Sequence, residues 1–397
     1  MPHYLDTVPS SGISRIRDML YSVKGALRLD QGDLSFDAPD SLKTAMHRAI
    51  DENRTHYLQT TGVPRLLELL ADKLRERNGI PVESPDQVMA TNGGVHGLCV
   101  LCQALLEPGD EVLVPDPEWP SALNSVLTAR GVGVRYPLDE SRDWRPDIDE
   151  MARLVTSRTR AIYINSPNNP TGGVLTRDDL QRIAALAIER DLWVISDEAY
   201  ESVVFDGAEH VSIGSLPGMY DRTISVYSFS KTYAITGVRL GYLAVKSGQI
   251  RERLTKLLFL TASNVSSIAQ YGGIGGLEGS YEVVEQFRRE LQARRDLFYA
   301  GIQEVAGRVF SGRPPRGAFY AFLRINPAWR PADARVRSIS WAMTEHLIER
   351  AHVGCVPGVD FGQVGEGYIR FCFGRDRAEL TSALHSMQAL FSATRSV

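Results

Sequence analysis

The 397-residue sequence has no excess of positive charge. It contains 44 lysine and arginine residues against 48 aspartate and glutamate residues, which gives a net charge of −4. Proteins that bind a polyanion usually have a basic surface or a basic segment. We therefore do not expect a nucleic acid to be a partner of this protein.

A long apolar run is also missing. The most apolar short stretch, residues 97–106, is much shorter than the roughly 20 residues that a transmembrane helix needs. The first residues do not have the charged and then apolar pattern of a signal peptide. From these two observations we expect no membrane association and a cytoplasmic location.

Cysteine is scarce, with only Cys99, Cys102, Cys355 and Cys372 in the chain. Cys99 and Cys102 have the spacing of two metal ligands, but no second pair nearby completes a tetrahedral site. The eight histidines form no His-x-x-x-His pair. Because the two cysteines lie in an apolar helical pattern, we interpret them as part of a reduced, buried helix face, and we predict no metal site.

Apolar stretches rich in β-branched residues alternate with helical patterns from residue 87 to residue 245. This alternation predicts an α/β fold with a mostly parallel, seven-stranded sheet sandwiched by helices. Ligands of such sheets bind at the carboxyl ends of the strands. The predicted strands are residues 87–90, 111–114, 132–136, 161–165, 192–196, 223–227 and 240–245.

Three parts of the chain are distinguished by pattern. Residues 1–45 read as an N-terminal arm that belongs in part to a smaller domain, and residues 46–285 contain the alternating pattern of a large domain. A long helix over residues 281–305 leads into shorter strands with a helix between them. We predict that residues 286–397 form a small α+β domain.

One lysine stands at the end of a predicted buried strand. The apolar run 224–227 is followed by the stretch 228–242, Ser-Phe-Ser-Lys-Thr-Tyr-Ala-Ile-Thr-Gly-Val-Arg-Leu-Gly-Tyr. Partial burial lowers the pKa of a lysine and makes its amine a nucleophile toward carbonyl groups, as in enzymes that use pyridoxal phosphate. Lys231 is that lysine, and Ser228 and Arg239 are candidates to bind a phosphate. A surface lysine after an ordinary strand end is the alternative interpretation.

Two further motifs follow predicted strands. Residues 164–172, Ile-Asn-Ser-Pro-Asn-Asn-Pro-Thr-Gly, contain Asn169, and residues 195–200, Ile-Ser-Asp-Glu-Ala-Tyr, contain Asp197. An aspartate at the end of a buried strand needs a cationic partner. A plain β-turn and a helix cap are the structural alternatives for these two motifs.

A fourth candidate is an arginine inside an apolar strand, Gly-Tyr-Ile-Arg-Phe-Cys-Phe, where Arg370 stands. A buried guanidinium group requires an anion, and its planar fork fits a substrate α-carboxylate. An arginine on an edge strand that reaches solvent is the alternative.

The motifs around Lys231, Asn169 and Asp197 resemble those of the class I/II aminotransferases, the aspartate aminotransferase family of fold type I. The resemblance runs from about Ile13 to Phe373, in the family's order. It implies an aminotransferase that moves an amino group between an α-amino acid and a 2-oxo acid. It also implies pyridoxal 5'-phosphate as cofactor and a homodimer with shared active sites.

The resemblance assigns roles to individual residues. It makes Lys231, Asp197 and Tyr200 catalytic: Lys231 bonds to the cofactor, Asp197 faces the ring nitrogen, and Tyr200 contacts the phenolic oxygen together with Asn169. Trp119 stacks on the ring. The remaining predicted cofactor contacts are Gly93, Gly94, Val95, Ser228, Arg239 and the neighbouring subunit's Tyr57, and the predicted substrate contacts are Gly32, Asn169 and Arg370.

The assignment of Gly93 and Gly94 has a structural alternative, and the assignment of Val95 has a consequence for the substrate. Gly93 and Gly94 open a helix whose free amides suit an anion, although a tight strand-to-helix turn explains them equally well. Some dicarboxylate-specific relatives have a lysine where Val95 stands. The absence of a lysine at position 95 favours substrates with a neutral or aromatic side chain.

Other functions remain open at this point. A carbon–sulfur β-lyase, or another enzyme that transforms Cα, uses the same cofactor and carboxylate contacts. A cofactor-binding sensor domain is the non-enzymatic alternative, but the chain has no basic segment for DNA. A nicotinamide dehydrogenase is disfavoured because the glycines of residues 272–279 do not form the Gly-x-Gly-x-x-Gly pattern.

Overall fold

The computed structural model describes residues 3–9, 12–330 and 338–393. Its largest feature is an eight-stranded sheet in the order β1-β8-β7-β6-β5-β2-β3-β4. The strands of this sheet are β1 (Val88–Thr91), β2 (Glu111–Asp116), β3 (Val132–Asp139), β4 (Arg145–Pro146), β5 (Thr159–Asn165), β6 (Trp193–Asp197), β7 (Thr223–Ser228) and β8 (Gly241–Val245).

Most strands of this sheet run in the same direction. The pairs β2–β3, β2–β5, β5–β6 and β6–β7 are parallel, while β8 is antiparallel to both β7 and β1. The central strands β2, β6 and β7 are buried along nearly their whole length. This burial on both faces explains why they read as continuous apolar runs rather than alternating patterns.

Helices cover both faces of the main sheet and surround the second sheet. The α-helices are α1 (Gly12–Tyr21), α2 (Asp40–Asp51), α3 (Pro64–Asn78), α4 (Gly93–Leu105), α5 (Pro120–Thr128), α6 (Ile148–Leu154), α7 (Arg177–Glu189), α8 (Phe229–Thr232), α9 (Gly248–Ala262), α10 (Ser267–Glu278), α11 (Glu282–Ala306), α12 (Ile339–Ala351) and α13 (Arg377–Ala393). Residues of α4 and α9 pack with the sheet in one core cluster, and residues of α6 and α7 form another.

A second, antiparallel sheet has four strands in the order β11-β12-β10-β9. Its strands are β9 (Phe310–Ser311), β10 (Tyr320–Ile325), β11 (Val356–Pro357) and β12 (Tyr368–Cys372). The N-terminal segment joins this part of the molecule, because Leu27 forms a parallel bridge with Val353 and Leu29 lies in the same core cluster as α11 to α13.

The predicted fold class is confirmed. All seven predicted strands are present within a few residues of their predicted ends. A two-residue strand, β4, adds an eighth strand that pairs antiparallel with the end of β3. So short a strand has no periodic pattern of its own, and only its pairing defines it.

The structure also shows where the glycine-rich stretch 272–279 and two of the cysteines lie. The glycine-rich stretch 272–279 lies in and just after α10, which packs closely on α2; a Cβ atom at Gly275 would lie 2.4 Å from Cβ of Ala45. Cys99 and Cys102 both lie on α4 as free thiols; Cys102 is buried as expected, whereas Cys99 is only partly buried. Within the described residues, no helix combines the length and the apolar character that a membrane span requires.

Candidate active site

A cavity of about 250 Å³ lies at the carboxyl edge of the main sheet, where that sheet meets the second one. The main-sheet loops after β2 and β5, the end of β6 and the helix after β7 all contribute to its wall, as the carboxyl-end rule for parallel sheets predicts. The lining residues are Asp30, Gly32, Gly94, Val95, Trp119, Asn165, Asn169, Asp197, Ala199, Tyr200, Ser228, Ser230, Lys231, Thr236, Arg239, Tyr320 and Arg370.

Lys231 reaches this cavity from α8, the short helix that directly follows β7. Its Nζ atom donates a hydrogen bond to the carbonyl oxygen of Gly32 and lies 5.6 Å from the centre of the Phe319 ring. Burial lowers the pKa of Lys231 to about 8, although the nearby carboxylate of Asp33 acts in the opposite direction. A neutral amine is therefore available near physiological pH, as nucleophilic chemistry requires.

Asp197 is the last residue of β6 and is buried. Its Oδ2 atom accepts a hydrogen bond from the hydroxyl of Tyr163 at 3.0 Å, and Oδ1 accepts one from the backbone N–H of Ala199 at 3.1 Å. Burial raises the pKa of Asp197 to about 6. Neither hydrogen-bond donor is charged, so the carboxylate can gain electrostatic stabilisation from a cation in the cavity.

Asn169 and Tyr200 meet on one wall of the cavity. The hydroxyl oxygens of Tyr200 and Tyr320 are 2.8 Å apart, and Nδ2 of Asn169 donates to the Tyr200 hydroxyl at 3.5 Å. The turn that carries Asn169 is held by its backbone N–H, which donates to Oδ1 of Asn165 at 2.9 Å. Burial raises the pKa of Tyr200 well above its usual range, so its hydroxyl keeps its proton and can donate it in a hydrogen bond.

Arg370 lies in the middle of β12 and is 2% exposed. Its Nη1 atom donates to Oδ1 of Asn169 at 3.0 Å, and Nη2 donates to the carbonyl oxygen of Asp30 at 2.6 Å. The Nε atom is buried and has no hydrogen-bond partner among the described residues. No carboxylate is paired with this guanidinium group there, so it has charge and donor capacity left for an anion.

The opposite end of the cavity is built from α4, Ser228 and Arg239. The first-turn amides of α4 have no side-chain cap, which leaves them free for an anion. Gly93 has a φ of +76°, and a Cβ atom there would lie 2.3 Å from Nη2 of Arg239. Arg239 itself has a φ of +63°, an uncommon conformation for a non-glycine residue, which brings its guanidinium group to Gly93.

The other predicted contacts divide into two groups. Trp119, Gly32 and Val95 line the cavity. Tyr57 does not, and its side chain is 88% exposed in the single chain. Its exposed ring is accessible to a neighbouring subunit.

The residues present fit pyridoxal phosphate. The cavity offers uncapped amides and Arg239, the lowered-pKa amine of Lys231, and the buried carboxylate of Asp197, which has no cationic hydrogen-bond partner among the described residues. These are the charges and donors that a phosphate, an aldehyde and a protonated ring nitrogen require. Arg370, whose hydrogen bonds in the described part of the chain go to neutral oxygens, provides a positive charge for the carboxylate of a substrate.

Several participating residues were not identified by sequence reasoning. Tyr163 holds the Asp197 carboxylate, and Tyr320 pairs with Tyr200 and lies 4.5 Å beneath the guanidinium carbon of Arg370. A tyrosine inside an apolar strand is a weak signal, because buried tyrosine is common. Only the packing of strands from two sheets shows where these hydroxyl groups point.

A polar cluster lies behind the cavity. Glu198, Glu201 and His210 have potential ligand atoms within 4.8 Å of one another. However, Lys73 contacts Glu201 at 2.5 Å, and His210 contacts Glu198 at 2.9 Å. Lys73 already places a cation in this cluster, so we interpret it as an ion-pair network.

Comparison with known proteins identifies relatives over nearly the whole chain. A family model described as aminotransferase class I and II matches residues 24–387. The chain is 36% identical to aromatic-amino-acid aminotransferase 2 of Thermococcus litoralis, over 99% of this chain and 98% of that protein. It is 37% identical to an aspartate aminotransferase of Pyrococcus abyssi, over 98% and 97% of the two chains.

Solved structures give the same result. The structure superimposes on an aromatic aminotransferase from Pyrococcus horikoshii with a TM-score of 0.87 and 37% identity, covering 96% of this chain and 100% of the other. An aspartate aminotransferase from Thermus thermophilus with maleate gives a TM-score of 0.89 at 30% identity, with 98% and 99% of the chains covered.

Proposed function

Since this chain belongs to the class I and II aminotransferase family, we propose that its cavity binds pyridoxal phosphate through Lys231 and uses it to exchange an amino group between an α-amino acid and a 2-oxo acid. The chain is an aminotransferase by its full-length relatives, and the family depends on this cofactor. The observation that carries the assignment of residues is that Lys231, Asp197, Arg239 and Arg370 all line one cavity.

The proposed roles follow from the charges of the residues. The cofactor supplies an aldehyde and an electron-accepting ring when it is bound. Asp197 holds a positive charge at the ring nitrogen, and Asn169 and Tyr200 donate hydrogen bonds to the phenolic oxygen. Trp119 packs on a ring face, and the first-turn amides of α4, Ser228 and Arg239 bind the phosphate.

The substrate is held at the other end of the cavity. Arg370 binds the α-carboxylate and orients the substrate's Cα–H bond toward Lys231. Once the substrate's amino group has replaced Lys231 on the cofactor, Nζ of Lys231 would be free to accept the Cα proton as a general base, a role for which its lowered pKa suits it. Arg370, Asn169 and Asp197 are nearly fully buried, so their polar groups have few contacts with solvent.

The cations of the cavity also support a substrate class. Lys231, Arg239 and Arg370 are the lining cations in the part of the chain that the structure describes, and each has a role above. Val95 stands where some dicarboxylate-specific relatives have a lysine. We therefore propose that neutral and aromatic amino acids are better substrates than aspartate and glutamate.

The active unit is proposed to be a homodimer, because Tyr57 is almost fully exposed and the resemblance assigns it to a neighbouring cofactor site. Phe259 and Leu260, at 60% and 77% exposure, are further apolar side chains available to a second copy. Four free cysteines are usual in a reducing compartment, which supports the cytoplasm as the proposed location.

The function is tested by mixing the purified, cofactor-loaded protein with single amino acids, with and without a 2-oxo acid. Transamination predicts spectral conversion of the cofactor by the amino acid alone and continuous turnover only when an oxo acid is added. Release of ammonia and pyruvate from cystathionine without an oxo acid would indicate a β-lyase instead. A protein that stays colourless after cofactor is added would contradict the proposed use of pyridoxal phosphate.

A further inference from the structure

Glu118 is a buried carboxyl group next to the cavity that none of the proposed roles uses. It precedes Trp119 in the loop after β2 and is 2% exposed. Its Oε1 atom accepts a hydrogen bond from the backbone N–H of Trp119 at 2.8 Å, and Oε2 accepts one from Nδ2 of Asn168 at 2.8 Å. Within the described ranges, no cationic side chain forms a hydrogen bond with it. Burying a carboxyl group costs free energy, which these two hydrogen bonds partly offset.

The side-chain amide of Asn168 donates to Glu118 through Nδ2. Its Oδ1 atom already accepts hydrogen bonds from the hydroxyl and the backbone N–H of Thr171, at 2.7 and 3.2 Å. Its backbone N–H donates to the carbonyl oxygen of Gly173 at 2.9 Å. These bonds fix the amide orientation, so that Nδ2 points to Glu118. The same turn carries Asn169.

The Glu118 carboxyl group thus connects two loops that leave neighbouring strands, β2 and β5. One loop carries Trp119, and the other carries Asn169, which in turn contacts Tyr200 and Arg370. We propose that Glu118 is a positioning residue of the active site, which acts through Asn168 to fix the distance between the stacking tryptophan and Asn169. This inference rests on the proposed function of the cavity.

The buried position of Glu118 also affects its pKa. Burial raises the pKa of Glu118 well above its usual range, and the nearby carboxylate of Asp197 raises it further. The two loops are connected by the two hydrogen bonds that Glu118 accepts, one at each carboxyl oxygen.

Three variants and one control test the proposal in the full-length, cofactor-loaded enzyme. Glu118→Ala leaves two buried donors without a partner, while Glu118→Gln has the same shape but only one acceptor oxygen. Asn168→Ala removes the other half of the contact. The control is Glu111→Gln, since Glu111 is also a buried glutamate and lies at the opposite end of β2, where it contacts Thr156 and Arg158.

We expect Glu118→Ala to bind pyridoxal phosphate roughly tenfold to a hundredfold more weakly and to lower kcat more than it raises KM. The visible circular dichroism of the bound cofactor should change, because the ring contacts of Trp119 and Asn169 move. In cofactor affinity, kinetic constants and circular dichroism, Glu118→Gln should lie between Glu118→Ala and the parent. Glu111→Gln should match the parent in all three measurements.

A double-mutant cycle tests whether Glu118 acts through Asn168. If it does, Glu118→Ala should have little further effect on kcat/KM in the Asn168→Ala background. Hydrogen exchange of the apoenzyme gives a readout that does not need the cofactor. Peptides covering residues 166–173 should exchange faster in Glu118→Ala than in the parent, and not in Glu111→Gln.

The outcomes separate failure of this inference from failure of the proposed function. If the parent enzyme binds the cofactor and transaminates but Glu118→Ala keeps the parent's cofactor affinity and dichroism, the positioning role is wrong. Additive effects in the double-mutant cycle would also overturn it. If the parent itself does not bind the cofactor, the proposed function fails, and the exchange of residues 166–173 in the apoenzyme still decides whether Glu118 holds the turn.

Discussion

Nη1 of Arg370 donates a hydrogen bond to Oδ1 of Asn169 across 3.0 Å. Arg370 lies on β12 of the antiparallel sheet, whereas Asn169 follows β5 of the main sheet. The bond joins the residue proposed to bind the substrate carboxylate to a residue proposed to contact the cofactor. The position of the substrate therefore depends on how the two sheets pack against each other.

Replacing Arg370 by lysine should weaken substrate binding. Lysine keeps the positive charge but cannot form the two parallel hydrogen bonds of a guanidinium fork. We expect KM for a good amino acid substrate to rise roughly tenfold to a hundredfold, in line with the loss of a charged hydrogen bond. The preference for tyrosine over tyramine, which lacks the carboxylate, should fall. Arg377→Lys, at an exposed arginine that pairs with Glu290, is the control, and an unchanged KM in Arg370→Lys would contradict the assignment.

The lysine amine should impose a pH dependence on the stability of the apoenzyme. The pKa of Lys231 is lowered to about 8 from a usual value of 10.5, so between these values the unfolded chain binds more protons than the folded one. The destabilisation is therefore complete below pH 8 and disappears as the pH rises to 10.5. Lys231→Met should increase the free energy of unfolding at pH 7, by an amount that shrinks over this window, and should abolish transamination.

Urea denaturation of the apoenzymes at a series of pH values measures this effect. For Lys256→Met, at an exposed position of α9, the difference from the parent in the free energy of unfolding should not change with pH. A difference between parent and Lys231→Met that is equal at pH 7 and pH 10 would mean that the amine is not desolvated.

Asp197→Asn should show the opposite pH trend. Burial raises the pKa of Asp197 to about 6 from 3.8, so between these values the folded chain binds more protons and stability falls as the pH rises. The stability of the variant apoenzyme relative to the parent should therefore increase from about pH 4 to pH 6. Transamination should slow by roughly a hundredfold or more, because a preorganised charge is lost. Denaturation curves and single-turnover rates measure the two effects, and a flat stability difference across the window would refute the raised pKa.

Val95→Lys should shift substrate preference toward acidic side chains. A lysine at this position of the cavity wall adds the cation that a side-chain carboxylate needs, and we expect kcat/KM for aspartate to rise roughly tenfold, which corresponds to about 1.4 kcal/mol. Val132→Lys is a matched control, because Val95 and Val132 are 44% and 45% exposed but only Val95 lines the cavity. An equal gain in both variants would mean that net charge, and not the cavity, causes it.

Subunit hybrids test whether the active sites are shared. Tyr57→Ala and Lys231→Ala homodimers should each be impaired. If Tyr57 serves the partner's site, a hybrid dimer has one site that carries both changes and one that carries neither. Unfolding and refolding the two variants together should therefore produce activity that neither variant has alone. If the mixture shows only the average activity of the two, each site is built from a single chain.

Local sequence patterns predicted the strands of the main sheet, and the resemblance to the aminotransferase family predicted most of the cavity wall. Lys231 and Asp197 were identified because each stands at the end of a predicted buried strand, and Asn169 because its turn resembles a motif of the family; a parallel sheet brings the carboxyl ends of its strands together. The two-residue strand β4 was not predicted, because its residues have no period to detect. The partners of each functional group were not predicted either.

The amino-acid sequence by itself determined the α/β class, the family and the identities of the chemically competent side chains, because burial periodicity and short motifs are local properties of the chain. Only the tertiary structure decided that Arg370 contacts Asn169, 201 residues away, that Tyr163 holds Asp197, and that Glu118 connects two loops. Such contacts depend on how strands from distant parts of the chain pack, and a hydrogen bond exists only when that packing brings donor and acceptor within about 3 Å.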